Sequence, residues 1–208
     1  MKKIGVTQRV DKAQGYTEYR DGLDQRWAPL LEALGLLPIL IPNGLKDPLA
    51  FVENAQIEGV LLSGGNTLSK YGQGDVVSVE RDQTERRLLD YAIKHELPVL
   101  GVCRGLQSIV DYWGATLVPI EGHAGTYHDI SVRTASGQLE TCRVNSFHDF
   151  AINPDGFPEE LEILAWDANN HIEMCRHNKL PVTAIMWHPE REQVLTAKDE
   201  QLIKDVFK

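Results

Sequence analysis

Three cysteines in 208 residues, Cys103, Cys142 and Cys175, are too few and too irregularly spaced for a disulfide framework or a Cys-x-x-Cys zinc ribbon. Basic runs are missing as well. With 21 Lys and Arg against 30 Asp and Glu, the net charge is −9 and the chain lacks the footprint of a nucleic-acid binder. No apolar run approaches the roughly 18 residues of a membrane span, so neither a nucleic acid polymer nor a membrane is an expected partner. The opening Ile4-Gly5-Val6 gives way at once to Thr7-Gln8-Arg9, which predicts a first strand and not a secretory signal. Repeats, low-complexity tracts and linkers are also lacking, and the length predicts a single domain with a substantial core. A reducing, cytoplasmic setting is the expectation, and there a thiol stays free.

What is present concentrates in Pro98-Val-Leu-Gly-Val-Cys-Arg-Gly-Leu-Gln107, where an apolar run ends in Gly101-x-Cys103-x-Gly105 and a helical segment follows. The two glycines permit the sharp strand-to-helix turn of a nucleophile elbow, here with sulfur in place of a serine hydroxyl. Its thiol would face the amino end of the next helix, where the dipole favours the attacking thiolate. Taken alone, the motif is equally compatible with a buried core cysteine.

The balance is tipped near the carboxyl end, where the strand-like Val182–Trp187 runs into His188-Pro189-Glu190. A nucleophilic cysteine needs an imidazole to take its proton, and the imidazole needs a carboxylate to fix its tautomer. Pro189 keeps the segment extended, so His188 and Glu190 can lie together at a sheet end. A third element, Gly59-Val-Leu-Leu-Ser-Gly-Gly-Asn66, ends a short strand in two glycines. Such a turn presents backbone N–H groups, and the amides of Gly65 and Arg104 are the expected donors to an oxyanion.

Strand-like and helical runs alternate through the first 120 residues, which predicts a mostly parallel sheet flanked by helices. Strands are expected at Ile4–Thr7, Leu37–Ile41 and Gly59–Leu62, and helices over Asp24–Leu34, Asp47–Asn54, Glu80–His95 and Arg104–Trp113. The charges of Glu80–His95 read as a solvated face over the stripe Leu88, Leu89, Ala92 and Ile93. Ser69–Val79, with Gly72, Gly74 and Asp75, reads as an exposed loop. Short β-like stretches at Ile130–Arg133, Glu140–Val144, Leu161–Trp166 and His171–Arg176 predict antiparallel additions in the second half. A strand at Thr183–Trp187 and a helix at Asp199–Phe207 close the chain.

In this order, the three elements resemble the class I glutamine amidotransferase-like (flavodoxin-like) α/β fold and its γ-glutamyl hydrolase branch, of peptidase C26 type, across nearly the whole chain. The resemblance implies a Cys-His-Glu triad of Cys103, His188 and Glu190 acting on a γ-glutamyl carbonyl. It also implies that Asn145-Ser146-Phe147-His148 and Gln107 contact the glutamyl group. For Gln107 a plain helix-surface amide is the alternative, and His128 and His148 either touch the leaving group or cap loops.

Several further segments resemble the γ-glutamyl-CDP-amidate hydrolases: Gly5–Arg9, Tyr19-Arg20, Trp27, Leu62–Asn66, Asn145–Ile152 and Ile185–Glu192. The implied partner is a small nucleotide-linked γ-glutamyl substrate, bound in part by Asn66. The implied product is cytidine diphosphoramidate, a donor of phosphoramidate groups for bacterial surface polysaccharides. A diphosphate calls for positive charge, and Arg9, at the carboxyl end of the first strand, is the first candidate, with Arg104 and Arg191 behind it. A γ-glutamyl-γ-aminobutyrate hydrolase and a glutaminase subunit share the triad and remain alternatives. Seven histidines raise the question of a metal, but His123/His128 and His171/His177 lack the i, i+4 spacing of a zinc-binding helix. No cofactor is expected for the triad chemistry, and the oligomeric state is left open.

Overall fold

The computed structural model describes residues 1–74, 77–134 and 136–208. In chain order the elements are β1 (Lys2–Thr7), β2 (Arg9–Lys12), β3 (Tyr19–Gly22), α1 (Trp27–Ala33), β4 (Leu36–Ile41), α2 (Pro48–Ala55), β5 (Gly59–Leu62), α3 (Val79–His95), β6 (Val99–Val102) and α4 (Arg104–Tyr112). The second half holds β7 (Leu117–Pro119), β8 (Ala124–Arg133), β9 (Leu139–Phe147), β10 (Phe150–Ile152), β11 (Leu161–Asp167), β12 (Ile172–His177), β13 (Val182–Ile185), a 3-10 turn at Pro189–Arg191 and α5 (Ala197–Val206). No helix among the described residues is long and apolar enough to cross a membrane.

Nine strands form one sheet in the order β4-β1-β5-β6-β13-β12-β11-β8-β9. From β4 to β13 all neighbours are parallel, and from β13 to β9 all are antiparallel. The expected mostly parallel sheet with antiparallel additions is therefore present, its strands near their predicted places except that β8 begins at Ala124 and not at Ile130. Every residue of β5 and β6 is buried, as expected of strands covered on both faces. Trp27 and Leu31 anchor α1 in the core, and Leu88, Leu89 and Ala92 anchor α3.

Helix boundaries follow capping chemistry. Asp47 accepts from the amides of Leu49 and Ala50 at the start of α2, and Ser78 accepts from Arg81 at the start of α3. The loop before α3 forms as expected in outline, with an isolated bridge between Thr67 and Val77, while Asp75 lies outside the described residues.

Three features depart from expectation, the first being a small separate sheet of β7 and β10 that no predicted stretch covers. The sequence pattern does not predict the β2–β3 hairpin, because Arg9–Lys12 and Tyr19–Gly22 are largely exposed and carry no apolar alternation. Helix α3, expected to offer its charges to solvent, instead buries Arg81, Thr84 and Glu85. A charge pattern alone does not separate a solvated face from one whose charges are paired inside.

Candidate active site

Adjacent parallel strands β5, β6 and β13 end at one edge of the sheet, and each delivers one of the three motifs there. Glycine is required at the elbow by close approach. A Cβ on Gly105 would lie 2.1 Å from the Leu62 carbonyl oxygen, and one on Gly101 would lie 2.7 Å from the Gly105 backbone. Helix α4 can thus start directly above β5 and β6. Between the two glycines, Cys103 adopts φ 53° and ψ −104°, a conformation that L residues rarely hold. Its N–H donates to the Ile185 carbonyl at 2.8 Å, which ties the strained turn to β13. Strain held in place by its surroundings is a common property of functional turns.

His188 leaves β13 buried, and its Nδ1 lies 2.6 Å from Glu190 Oε1. Its Nε2 has no regular hydrogen-bond partner among the described residues. The Asn145 amide holds the His188 backbone from both sides, accepting from the N–H at 2.9 Å and donating to the C=O at 2.8 Å. It also donates to Glu192 at 2.6 Å. Burial of the imidazole works against its charge. The Cys103 sulfur and the Glu190 carboxylate outweigh that and raise the His188 pKa to about 9.

A raised histidine pKa sets a pH window. The stabilisation from charged His188 is complete below the unfolded-state value of about 6.5 and is lost as pH rises through about 9. Chemical denaturation across pH 6 to 10 is expected to show the midpoint falling between these limits in wild type. A midpoint that rises over that interval would contradict a raised His188 pKa.

The turn after β5 is gripped from below. Arg81 Nη1 donates to the carbonyls of Gly64 at 3.1 Å and Gly65 at 2.5 Å, and Nη2 donates to that of Ser63 at 2.6 Å. Arg81 Nε pairs with Glu85 at 2.8 Å, Glu85 also pairs with the Arg104 guanidinium, and Thr7 Oγ1 donates to Glu85 at 2.9 Å. Arg81 and Glu85 are 0% exposed. Burial opposes the Glu85 charge, yet Arg104 and Arg81 hold its pKa below the usual value. Burial, reinforced by Arg104, lowers Arg81 only to about 10, so it stays charged at neutral pH. With their carbonyls turned down toward Arg81, the residues of this turn leave the Gly65 N–H free of acceptors among the described residues. The Arg104 N–H, in the first turn of α4, is likewise free.

A cleft of about 580 Å³ opens over Cys103, walled by β2 on one side and by residues 147–150 on the other. Of the predicted substrate contacts, Arg9, Asn66, Gln107, Phe147 and His148 line it, together with Gly65 and Arg104 of the expected oxyanion pair. Asn145 and Ser146 do not, since both are buried beneath, and Asn145 spends its amide on His188 and Glu192. Asn66 is at the rim, but its side chain clamps β2 through the Val10 N–H at 2.8 Å and C=O at 2.9 Å. Gln107 donates to the Phe150 carbonyl at 3.0 Å. The His148 ring is neutral, because burial holds its pKa down to about 4.

The three arginine candidates separate clearly. Arg104 is withdrawn from phosphate binding because its guanidinium is buried between Asp82 and Glu85. Arg191 stacks over the Phe147 ring at 4.3 Å and faces a smaller cleft of about 210 Å³ on the far side of His188. Arg9 lines both clefts, half-exposed and paired to Asp11 at 2.8 Å. Sequence reasoning missed the roles of Thr7, at the end of β1, and of Arg81 and Glu85, whose only signal was an unusual density of charge on a helix beside a glycine turn.

A peptidase C26 family profile matches residues 3–190. The chain is 35% identical over 205 residues to the γ-glutamyl-CDP-amidate hydrolase of Campylobacter jejuni, covering 98% of this chain and 96% of that one. It is 29% identical over 155 residues to a subunit of the glutamine-hydrolysing GMP synthase from Methanococcus aeolicus, 73% of each chain. Among solved structures, a Thermoplasma acidophilum protein provisionally assigned as a GMP synthase subunit superposes with a TM-score of 0.73 at 22% identity, covering 100% of this chain and 92% of that one. The sheet and its elbow are thus those of the class I glutamine amidotransferase fold, and the chain belongs to the peptidase C26 family of hydrolases.

Proposed function

We propose that the protein is a cysteine-dependent γ-glutamyl hydrolase whose substrate is γ-glutamyl-CDP-amidate. The chemistry rests on one observation above the others: strained Cys103 lies at the floor of a cleft beside a buried His188 that Glu190 holds at 2.6 Å. The Cys103 thiolate attacks the γ-carbonyl carbon, and the N–H groups of Gly65 and Arg104 receive the developing oxyanion. Protonated His188 then gives its proton to the departing phosphoramidate nitrogen as the C–N bond breaks. The neutral imidazole activates a water that cleaves the thioester, releasing glutamate and restoring the thiolate.

The choice of leaving group is supported by the near full-length identity to the Campylobacter hydrolase and by the cleft. At about 580 Å³ it falls within the ~300–1,000 Å³ typical of small-molecule sites and is roomy for a γ-glutamyl-γ-aminobutyrate alone. Arg9 on its wall is the group proposed to meet the diphosphate. The product, cytidine diphosphoramidate, would serve as the phosphoramidate donor for surface polysaccharide, made in the cytoplasm.

Glutamate release from γ-glutamyl-CDP-amidate, γ-glutamyl-γ-aminobutyrate and glutamine tests the reading directly. Selective turnover of the first, with KM raised in Arg9→Ala, is the expected result. Preference for the second compound overturns the nucleotide assignment and keeps the thiol chemistry. Turnover of glutamine alone would assign a glutaminase subunit, a reading favoured by the similarity to the Methanococcus GMP synthase chain.

Gly64→Ala tests the geometry of the turn. A Cβ there would sit 2.6 Å from His188 Cε1 and 3.6 Å from Cys103 Cβ, and the ring cannot retreat from Asn145 and Glu190. Displacement by about 1 Å is expected to lower kcat on the order of 10²-fold with KM much less affected. Unchanged kcat would show that His188 need not keep this position.

A further inference from the structure

We propose that His123, His128, Asp167 and Glu173 form a binding site for one divalent transition-metal ion, Zn²⁺ by preference, behind the Phe147–Phe150 wall of the cleft. The four residues come from the segment before β8, from β8, from the end of β11 and from β12, three strands that pair side by side. Each offers a ligand atom, and the four atoms lie within 4.8 Å of one another.

The pair distances argue for an ion. His128 Nε2 is 3.6 Å from Glu173 Oε2, and His123 Nε2 is 3.8 Å from Asp167 Oδ2. Both are too long for hydrogen bonds, and they approach the edge of about 3.3 Å that metal–ligand distances of ~2.0–2.1 Å give a tetrahedron. Glu173 is 1% exposed, and neither carboxylate oxygen accepts a hydrogen bond among the described residues. A carboxylate so buried stays charged only beside a cation or within a full set of donors.

His148 adds an independent argument. Its Nδ1 faces the Phe150 carbonyl at 3.0 Å and must donate there, because a carbonyl only accepts. Its Nε2 lies 3.7 Å from Glu173 Oε1, beyond hydrogen-bond distance, and neither atom has a hydrogen-bond partner among the described residues. A cation would bridge that gap, and His148 becomes a candidate fifth ligand. Around the other carboxylate an orienting shell is already in place. The amides of Asn169 and His171 donate to Asp167 Oδ1, both at 2.8 Å, and His171 Nδ1 lies 2.9 Å from Oδ2.

Two imidazoles and two carboxylates balance a dipositive ion, and nitrogen ligands select Zn²⁺ over Mg²⁺ or Ca²⁺. The site shares no ligand with the proposed triad, so its existence does not depend on the proposed function. Its role would be to lock β8, β11 and β12 behind the wall that carries Phe147 and His148.

The test uses the full chain freed of any polyhistidine tag, in the Cys103→Ala background so that the proposed nucleophile cannot hold the metal. The protein is stripped with a chelator and titrated with Zn²⁺ against a chromophoric competitor, and with Co²⁺ by visible absorption. One equivalent per chain is expected, with affinity reduced at least about 100-fold by His128→Ala or Glu173→Gln and about tenfold by His171→Ala, which removes only an outer partner. Circular dichroism confirms that each variant is folded. The proposal is overturned if the Cys103→Ala protein binds neither ion stoichiometrically, or if folded His128→Ala and Glu173→Gln bind as tightly as their parent.

Discussion

Replacing Cys103 with alanine is expected to reduce glutamate release by at least about 10⁴-fold in kcat, because the remaining site has no atom to form the thioester. The loss should come without unfolding. The side chain faces the cleft, and the turn that carries it is held by the glycine contacts and the Cys103 N–H bond to Ile185, neither of which uses sulfur. A second readout separates a catalytic from a packing role. With the thiolate gone, burial of His188 is opposed by Glu190 alone, so the ring should titrate at a lower pH than its wild-type value of about 9. Histidine ¹³C NMR across pH 5 to 10 reports that midpoint directly. Activity within tenfold of wild type, or an unchanged His188 midpoint, would remove Cys103 from the reaction.

How much of this is legible from residues alone depends on whether the constraint is local. Gly101-x-Cys103-x-Gly105 is readable because only glycine tolerates a backbone within 2.1 Å to 2.7 Å of its Cβ position, and that demand is written into adjacent positions. His188-Pro189-Glu190 is readable for the same reason: donor and acceptor are two residues apart. The core strands announce themselves as short apolar runs. The arginine grip on the Ser63–Gly65 carbonyls joins positions 16 to 18 residues apart through a helix whose charges look solvated. The histidines lack zinc-helix spacing, and the His123, His128, Asp167 and Glu173 grouping is assembled across a sheet, where spacing along the chain carries no signal. Register shifts in β11 opposite β12 make that assembly harder still to read, because they break the alternation by which a strand's faces are assigned. Asn145 is the reverse case. Its motif predicts a substrate contact, and the fold turns it inward to hold His188.

Arg81→Met is expected to produce the largest loss of stability among single substitutions near the site. It removes a guanidinium that is 0% exposed and leaves the carbonyls of Ser63, Gly64 and Gly65 without their donor. Glu85 keeps Arg104 and Thr7 but loses one of its two cations, and Met restores volume without charge. Breaking one side of a buried ionic cluster typically costs about 3–5 kcal/mol, which for a chain of this size lowers the thermal midpoint on the order of 10 °C. Function should fall beyond what unfolding explains. Once the Gly64 carbonyl is released, the Gly64–Gly65 peptide that carries the Gly65 N–H is free to rotate, and an oxyanion donor lost this way costs about 10²–10³-fold in kcat. Arg81→Lys discriminates between charge and geometry: a single ammonium keeps the pairing with Glu85 but does not span three carbonyls, so stability should recover more than kcat. Parallel recovery of both would mean that the charge alone matters. A melting temperature and kcat both unchanged in Arg81→Met would mean that the turn after β5 holds its shape without the arginine, and that the buried cluster of α3 serves some purpose other than presenting the Gly65 amide.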